Sequence, residues 1–293
     1  MNIADSFQKL LRSTDFKSSD RSAYVTHREQ VKRRLENILD VYDILTIGSY
    51  DRGSAIRQGS DLDLLVVLRK HEVRLGRSEK SSGTILRTVR KALEGRFPHT
   101  SLRRDKQAIV VDFSDGRSID VVPAWWESAR DDGWPSYAIP DGDGWWMRTS
   151  PKRHGQFIEQ ADARSGGKLK NVARILKYWR MTRRQPIPLN SFHIELLMAQ
   201  GDLCSVASTY AECLSRLLCT LVQTECSPIE DPLGVSDTVH ACGSEVKRLT
   251  VLRAVESAAR RSELALDAER RGNVKEAFRL WRIVFNQAFP CRH

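Results

Sequence analysis

The sequence predicts an α+β fold in two parts, and three observations carry that prediction. In the first half, helical periodicity alternates with short β-branched runs. After Thr149-Ser150-Pro151 the apolar spacing is helical throughout. Between these stretches, residues 123–150 concentrate five of the seven tryptophans, with Pro123, Pro135 and Pro140 interspersed. The expected division is an α/β lobe over residues 1–150, including an N-terminal helix, and an all-helical lobe over residues 151–293.

Each element has its own signal. Asp20–Leu39 reads as a helix with Val31, Leu35, Ile38 and Leu39 on one face, and with Ser19 or Asp20 as its cap. Ile44–Ile47 and Leu62–Leu68 read as strands, and Ser78–Leu93 as a basic helix. Gln107–Phe113 and Ser118–Val122 form a hairpin about Asp115-Gly116, a two-residue turn signal. The tryptophan-rich stretch reads as a connector packed down by its own rings, with base stacking as the lesser reading. Ser150 followed by Pro151 starts the helical lobe. Helices follow at about 151–162, 168–184, 191–202, 206–224, 244–271 and 274–285. The last residues, Phe289–His293, read as a frayed tail.

Bulk composition bounds the function classes. Apolar residues make up 41% and charged residues 29%, as in a globular protein. No run of about 18 apolar residues is present and the first residues lack an apolar signal core, so a cytoplasmic location and no membrane partner are expected. The formal charge of +10 favours a polyanionic partner, either nucleic acid or nucleoside triphosphates. All six cysteines lie in the last third without a CxxC pair, which argues against structural zinc and against disulfides.

The chemistry is concentrated between Ile47 and Leu68. A strand runs into Gly48-Ser49, a loop containing Gly53-Ser54 follows, and a second strand opens with Asp61-Leu62-Asp63. Residues two apart in a strand share a face, so Asp61 and Asp63 project together. Two hard carboxylates with open positions suit a divalent cation bound jointly with a nucleoside triphosphate. Ser49, at the start of a short helix, offers a hydroxyl and backbone N–H groups to phosphate.

Two-metal nucleotidyl transfer needs a third carboxylate. The hairpin offers Asp112 and Asp120. With a two-residue turn, Val111 faces Asp120 and Asp112 faces Ile119, so the two acids point to opposite faces. Asp120, set among Ile119, Val121 and Val122, needs a partner or a metal. It is the expected third ligand, and Asp112 is read as solvent-facing.

In the second half, Leu169, Val172, Ala173, Leu176 and Trp179 form a buried stripe, with Lys170, Arg174 and Lys177 on another face. A lysine aimed at a triphosphate would offset its charge as pyrophosphate leaves. Ser191 is placed to cap the next helix and meet a phosphate, and Phe192 to stack on a base. His193 and Glu195 read as structural, with a solvated helix row as the usual setting for such charges.

At this point the residues resemble the cGAS/DncV-like nucleotidyltransferases (CD-NTases), bacterial relatives of oligoadenylate synthetase and animal cyclic GMP–AMP synthase. The matching motifs are Gly48-Ser49, Asp61-Leu62-Asp63, Ile119-Asp120-Val121-Val122-Pro123-Ala124, Ile175-Leu176-Lys177-Tyr178-Trp179 and Asn190-Ser191-Phe192-His193-Ile194-Glu195-Leu196-Leu197. Ile229-Glu230-Asp231-Pro232 and Ala277–Phe285 also fit, so the resemblance runs from about residue 40 to residue 289. Gly53-Ser54 stands where Gly-Thr is usual, which keeps the hydroxyl. The zinc insertion of the animal DNA sensor has no counterpart.

The resemblance implies a polymerase-β-like nucleotidyltransferase core with a mixed sheet, plus a helical lobe closing the active-site cleft. It implies two magnesium ions (Mg2+, with Mn2+ as a substitute) on Asp61, Asp63 and Asp120. It implies nucleotide contacts from Gly48, Ser49, Lys177 and Ser191 and stacking by Phe192. The implied activity joins NTPs, ATP among them, into a cyclic di- or trinucleotide, a second messenger of CBASS anti-phage defence. A monomer is expected, open to a regulatory protein partner, with nucleic acid allowed but not required. Two rivals stand beside this: a transferase making linear oligonucleotides, and an inactive nucleotide- or RNA-binding module.

Overall fold

A computed structural model describes residues 2–95, 100–129 and 133–291. In chain order the elements are α1 (Ile3–Ser13), α2 (Ser18–Glu36), β1 (Val41–Ile47), α3 (Gly48–Asp51), β2 (Leu62–Leu68), α4 (Lys70–Val73), β3 (Arg74–Leu75), β4 (Ser78–Glu79), α5 (Ser82–Leu93), β5 (Ser101–Asp105), β6 (Ala108–Asp112), β7 (Ser118–Ala129), β8 (Pro135–Pro140) and β9 (Trp146–Thr149). Then come α6 (Pro151–Arg164), α7 (Lys168–Met181), α8 (Ser191–Gln200), α9 (Tyr210–Gln223), β10 (Ile229–Glu230), β11 (Thr238–Val239), α10 (Glu245–Arg270) and α11 (Val274–Val284). The chain divides into two compact units. One is Phe16–Gly53 with Ser60–Gln156; the other joins the residues up to Asp15, Ser54–Gly59 and Phe157 onward.

The first unit is built on a mixed sheet of order β1-β2-β7-β6-β5, to which β8 and β9 add beside the second half of β7. Among the described residues, only β2 and β7 are parallel. The run Leu62-Asp63-Leu64-Leu65-Val66-Val67-Leu68 is apolar at all but one position because both faces of β2 are covered. Leu62, Leu64, Val66 and Leu68 pack with Val31 and Leu35 of α2 and Ile85, Leu86 and Val89 of α5. Leu65 and Val67 pack on the other side with Val122, Ala124 and Tyr137. Ser81 caps α5 by accepting from the Thr84 amide. Lys17, rather than Ser19 or Asp20, holds the cap position of α2, and Asp20 accepts from its amide at 3.0 Å.

The structure revises the hairpin. Phe113 N–H donates to the Arg117 carbonyl at 2.8 Å and Gly116 N–H to the Phe113 carbonyl at 3.0 Å, so the loop is Ser114-Asp115-Gly116. Gly116 takes the left-handed conformation (φ +81°) that such a three-residue loop requires. One extra loop residue shifts the register by one. Val110 pairs with Asp120 and Asp112 with Ser118. Asp112 and Asp120 therefore share a face, contrary to the sequence expectation.

The tryptophan-rich stretch is not a connector but the continuation of the sheet through β7, β8 and β9. Trp125 is buried, while Trp126 and Trp145 are 43% and 76% exposed. The Lys70 ammonium stands 5.8 Å from the Trp126 ring centroid.

Among the described residues, the second unit is helical apart from the two-residue pair β10–β11. Its core draws on α1 and α6–α11. The first helix belongs here rather than with the strands. Phe7 meets Trp281 at 5.0 Å and Phe289 at 5.0 Å, both edge-on. Phe289, expected in a frayed tail, is thus core; Arg292 and His293 lie outside the described residues. Among the described residues, no helix is long and apolar enough to cross a membrane.

Candidate active site

The local fold around Gly48 explains why the motif has this form. β1 ends at Ile47, the chain turns at Gly48 (φ +72°), and α3 begins. A Cβ built on Gly48 would overlap the Asp63 carboxylate, lying only 2.6 Å from its Cγ. Glycine is required here twice over, by conformation and by the approach of a carboxylate. Ile47 occupies the cap position of α3, so Ser49 is the second helical residue and its hydroxyl does not act as the cap. Beneath the turn, Tyr50 sits 5.6 Å from Phe16 and 5.7 Å from Tyr24. The Tyr24 hydroxyl donates to the Ser60 carbonyl at 2.9 Å, holding the residue just ahead of Asp61.

The parallel register of β2 and β7 sets Asp63 directly beside Asp120. Asp61 precedes the strand, and Ser118 Oγ donates to its carboxylate. Asp120 Oδ1 is buried with no hydrogen-bond partner, an arrangement that costs free energy unless something absent from the chain completes it. Burial, then the nearby Asp63 and Asp61 charges, push the Asp120 carboxyl up to about 8. Among the described residues, no three His, Cys, Asp or Glu side chains converge on one point as they stand. Two adjacent carboxylates, an orphaned carboxylate oxygen and a raised pKa form a donor set that suits a hard divalent cation.

The raised pKa has a consequence for stability. An unfolded aspartate releases its proton near 3.8, whereas folded Asp120 holds it to about 8. Across that window the folded chain binds more protons than the unfolded chain, so stability falls as pH rises through it and levels off above. Denaturant midpoints measured in chelator from about pH 4 to about pH 9 should show that fall for the wild type and lose it in Asp120→Asn. Parallel curves for the two proteins would contradict the assignment.

Gly48→Ala makes a second test. The left-handed backbone costs roughly 1–2 kcal/mol, and the displaced Asp63 carboxylate should lower turnover by about a hundredfold. Circular dichroism should remain native while product formation drops. Wild-type turnover would mean that the close approach has no catalytic role.

The remaining predicted residues lie in the helical unit. Lys177 is only 7% exposed; its ammonium donates to the Ser54 carbonyl at 2.9 Å and to Glu195 Oε1 at 3.1 Å. Ser54 Oγ also donates to Glu195 at 2.7 Å. Glu195 and His193 are fully buried rather than part of a solvated row. Lys177 is therefore engaged in a buried ion pair rather than standing open on a helix face. Ser191 does not cap α8: Asn190 does, accepting from the Phe192 amide at 3.0 Å. The Ser191 hydroxyl instead accepts from Arg180 at 2.8 Å, and Phe192 packs partly buried against the helical core. Sequence reasoning missed Ser118 and the Ser54–Glu195 pairing. The first had a signal, a hydroxyl two residues before Asp120; the second had none within either segment.

Residues 1–162 match the family of Second Messenger Oligonucleotide or Dinucleotide Synthetase domains, SMODS. The chain belongs to the SMODS family. The match contains Gly48, Asp61, Asp63 and Asp120, the residues whose geometry has just been described. This SMODS protein is 22% identical over 288 residues to a Bacillus cereus (strain VD146) protein named "Probable cyclic nucleotide synthase", covering 87% of this chain and 86% of that one. It is 28% identical over 216 residues to the cyclic AMP-AMP-AMP synthase of Escherichia coli (strain MS 115-1), covering 68% and 65%. Among solved structures, it matches E. coli MS115-1 CdnC in complex with HORMA-deltaN at TM-score 0.73 and 19% identity, covering 99% of each chain. It matches Vibrio cholerae DncV cyclic AMP-GMP synthase, bound to the linear intermediate 5′ pppA(3′,5′)pG, at TM-score 0.78 and 11% identity, covering 99% and 97%. The α+β nucleotidyltransferase fold and the CD-NTase resemblance are both borne out.

Proposed function

We propose that this enzyme joins nucleoside triphosphates into a cyclic di- or trinucleotide second messenger for anti-phage signalling. The observation that carries the reading is the pairing of Asp63 with Asp120 beside a glycine turn that only glycine can make. In each transfer a ribose hydroxyl oxygen of the acceptor bonds to the donor α-phosphorus. The bond from that phosphorus to the pyrophosphate oxygen breaks, pyrophosphate leaves, and the hydroxyl proton passes to water. Asp61, Asp63 and Asp120 would hold two divalent cations, Mg2+ by preference, which when bound offset phosphate charge and acidify the attacking hydroxyl.

The chain's own part is placement. The Gly48 turn fixes Asp63, Ser118 and Tyr24 hold the Asp61 segment, and the β7 ladder fixes Asp120. Ser49 is assigned to the donor phosphates. Lys177 is assigned to the fold of the helical unit, on the strength of its pairing with Glu195. CdnC of E. coli was solved in complex with a HORMA protein, and a regulatory protein partner belongs to this reading as well.

The test is incubation of the purified protein with four α-labelled NTPs and Mg2+, then phosphatase. A phosphatase-resistant product is expected, and its mass gives bases and ring size. A phosphatase-sensitive ladder would replace this reading with a linear polymerase.

A further inference from the structure

The register that joins Asp63 to Asp120 continues across the sheet. One lateral row holds Ile47, Asp63, Asp120, Val110 and Arg103, on β1, β2, β7, β6 and β5 in turn. Directly opposed residues share a face, so Arg103 rises from the same side as the two carboxylates. Strands lie about 4.8 Å apart, which sets the Arg103 backbone roughly 10 Å from that of Asp120. In the neighbouring row, Ser118 of β7 opposes Asp112, which opposes Ser101. Asp112 accepts from Arg103 Nε at 3.1 Å and from Ser101 Oγ at 3.2 Å, and Asp105 lies 3.7 Å from Arg103 Nη1. These contacts orient the guanidinium, yet the side chain is still 52% exposed.

The row also has a direction. Gly48 follows Ile47, so the donor-phosphate turn leaves from the β1 end, beside Asp63. Attacking and leaving oxygens lie roughly in line in phosphoryl chemistry. A donor whose pyrophosphate lies toward β1 is then attacked from over β7, by an acceptor extending across β6 and β5. Arg103 is the cation that meets it on that row.

We propose that Arg103, oriented by Asp112, binds the phosphates of the acceptor nucleotide. Its outer guanidinium nitrogens suit phosphate oxygens, the fork geometry that makes arginine a phosphate reader. Arg103 is thereby a binding residue for the acceptor, and Asp112 a positioning residue that acts through it. The inference rests on the nucleotidyltransferase reading.

Transfer from an α-labelled NTP is measured to two acceptors of the base that the wild type incorporates: the triphosphate and the unphosphorylated nucleoside. Wild type should favour the triphosphate. In Arg103→Ala that preference should fall by roughly tenfold while transfer to the nucleoside stays unchanged, and Arg103→Lys should restore part of it. A merely structural role would lower both acceptors together, and that result overturns the proposal, as does an unchanged preference. Wild-type protein giving no transfer product with any NTP would instead overturn the reading beneath it, and this inference with it.

Discussion

Asp63→Asn and Asp120→Asn are each expected to reduce product formation by at least about a thousandfold, the loss that follows when several kcal/mol of transition-state charge stabilisation is removed. Both substitutions keep the shape of the side chain and remove a carboxylate able to ligate a cation. Asp63 is wedged against Gly48, and Asp120 carries the orphaned buried oxygen. Folding should separate the two. Asp120→Asn removes a carboxylate that burial and its neighbours disfavour, so the variant should be as stable as the wild type or more so near neutral pH. Calorimetric titration of Mg2+ with an unreactive NTP analogue should lose the cation-dependent heat in both variants. Retained turnover in either would remove that carboxylate from the catalytic set.

The second large effect is expected in the helical unit and on stability. Lys177→Ala should destabilise the protein by about 3–5 kcal/mol, because it removes the ammonium paired with the fully buried Glu195 carboxylate. The double variant Lys177→Met with Glu195→Leu should recover most of that loss, since a well-packed apolar pair can replace a buried ion pair. Urea midpoints of the single and double variants decide the matter. A Lys177→Ala protein of wild-type stability, impaired only in triphosphate binding, would return the lysine to the role the resemblance first gave it.

How far the site could be read from the chain differs residue by residue. β2 was legible to its ends because a strand buried on both faces must be almost wholly apolar, and its one polar position, Asp63, then stands out as a candidate site residue. Asp120 was chosen as the third carboxylate by a parity argument whose register was one residue off. Asp115-Gly116 suits a two-residue and a three-residue loop alike, and only the hydrogen bond from Phe113 to the Arg117 carbonyl selects the longer one. β5 left no signal, since Ser101-Leu102-Arg103-Arg104-Asp105 lacks apolar alternation and is held as an edge strand by backbone pairing to β6. Glu195 looked like part of a surface row because a charge can be buried only when a partner distant in sequence, here Lys177 with Ser54, is brought to it.

The sequence by itself determined the α+β plan and the glycine turn, and it singled out the three candidate aspartates. Each of these is a local requirement: periodicity, a left-handed backbone position, or a charge that cannot stand unpaired among apolar neighbours. Tertiary structure alone decided that Asp112 and Arg103 share the face of Asp120, that the first helix joins the helical core, and that Lys177 is committed to Glu195. Those outcomes depend on strand register and on contacts between segments far apart in the chain, and no local pattern encodes either.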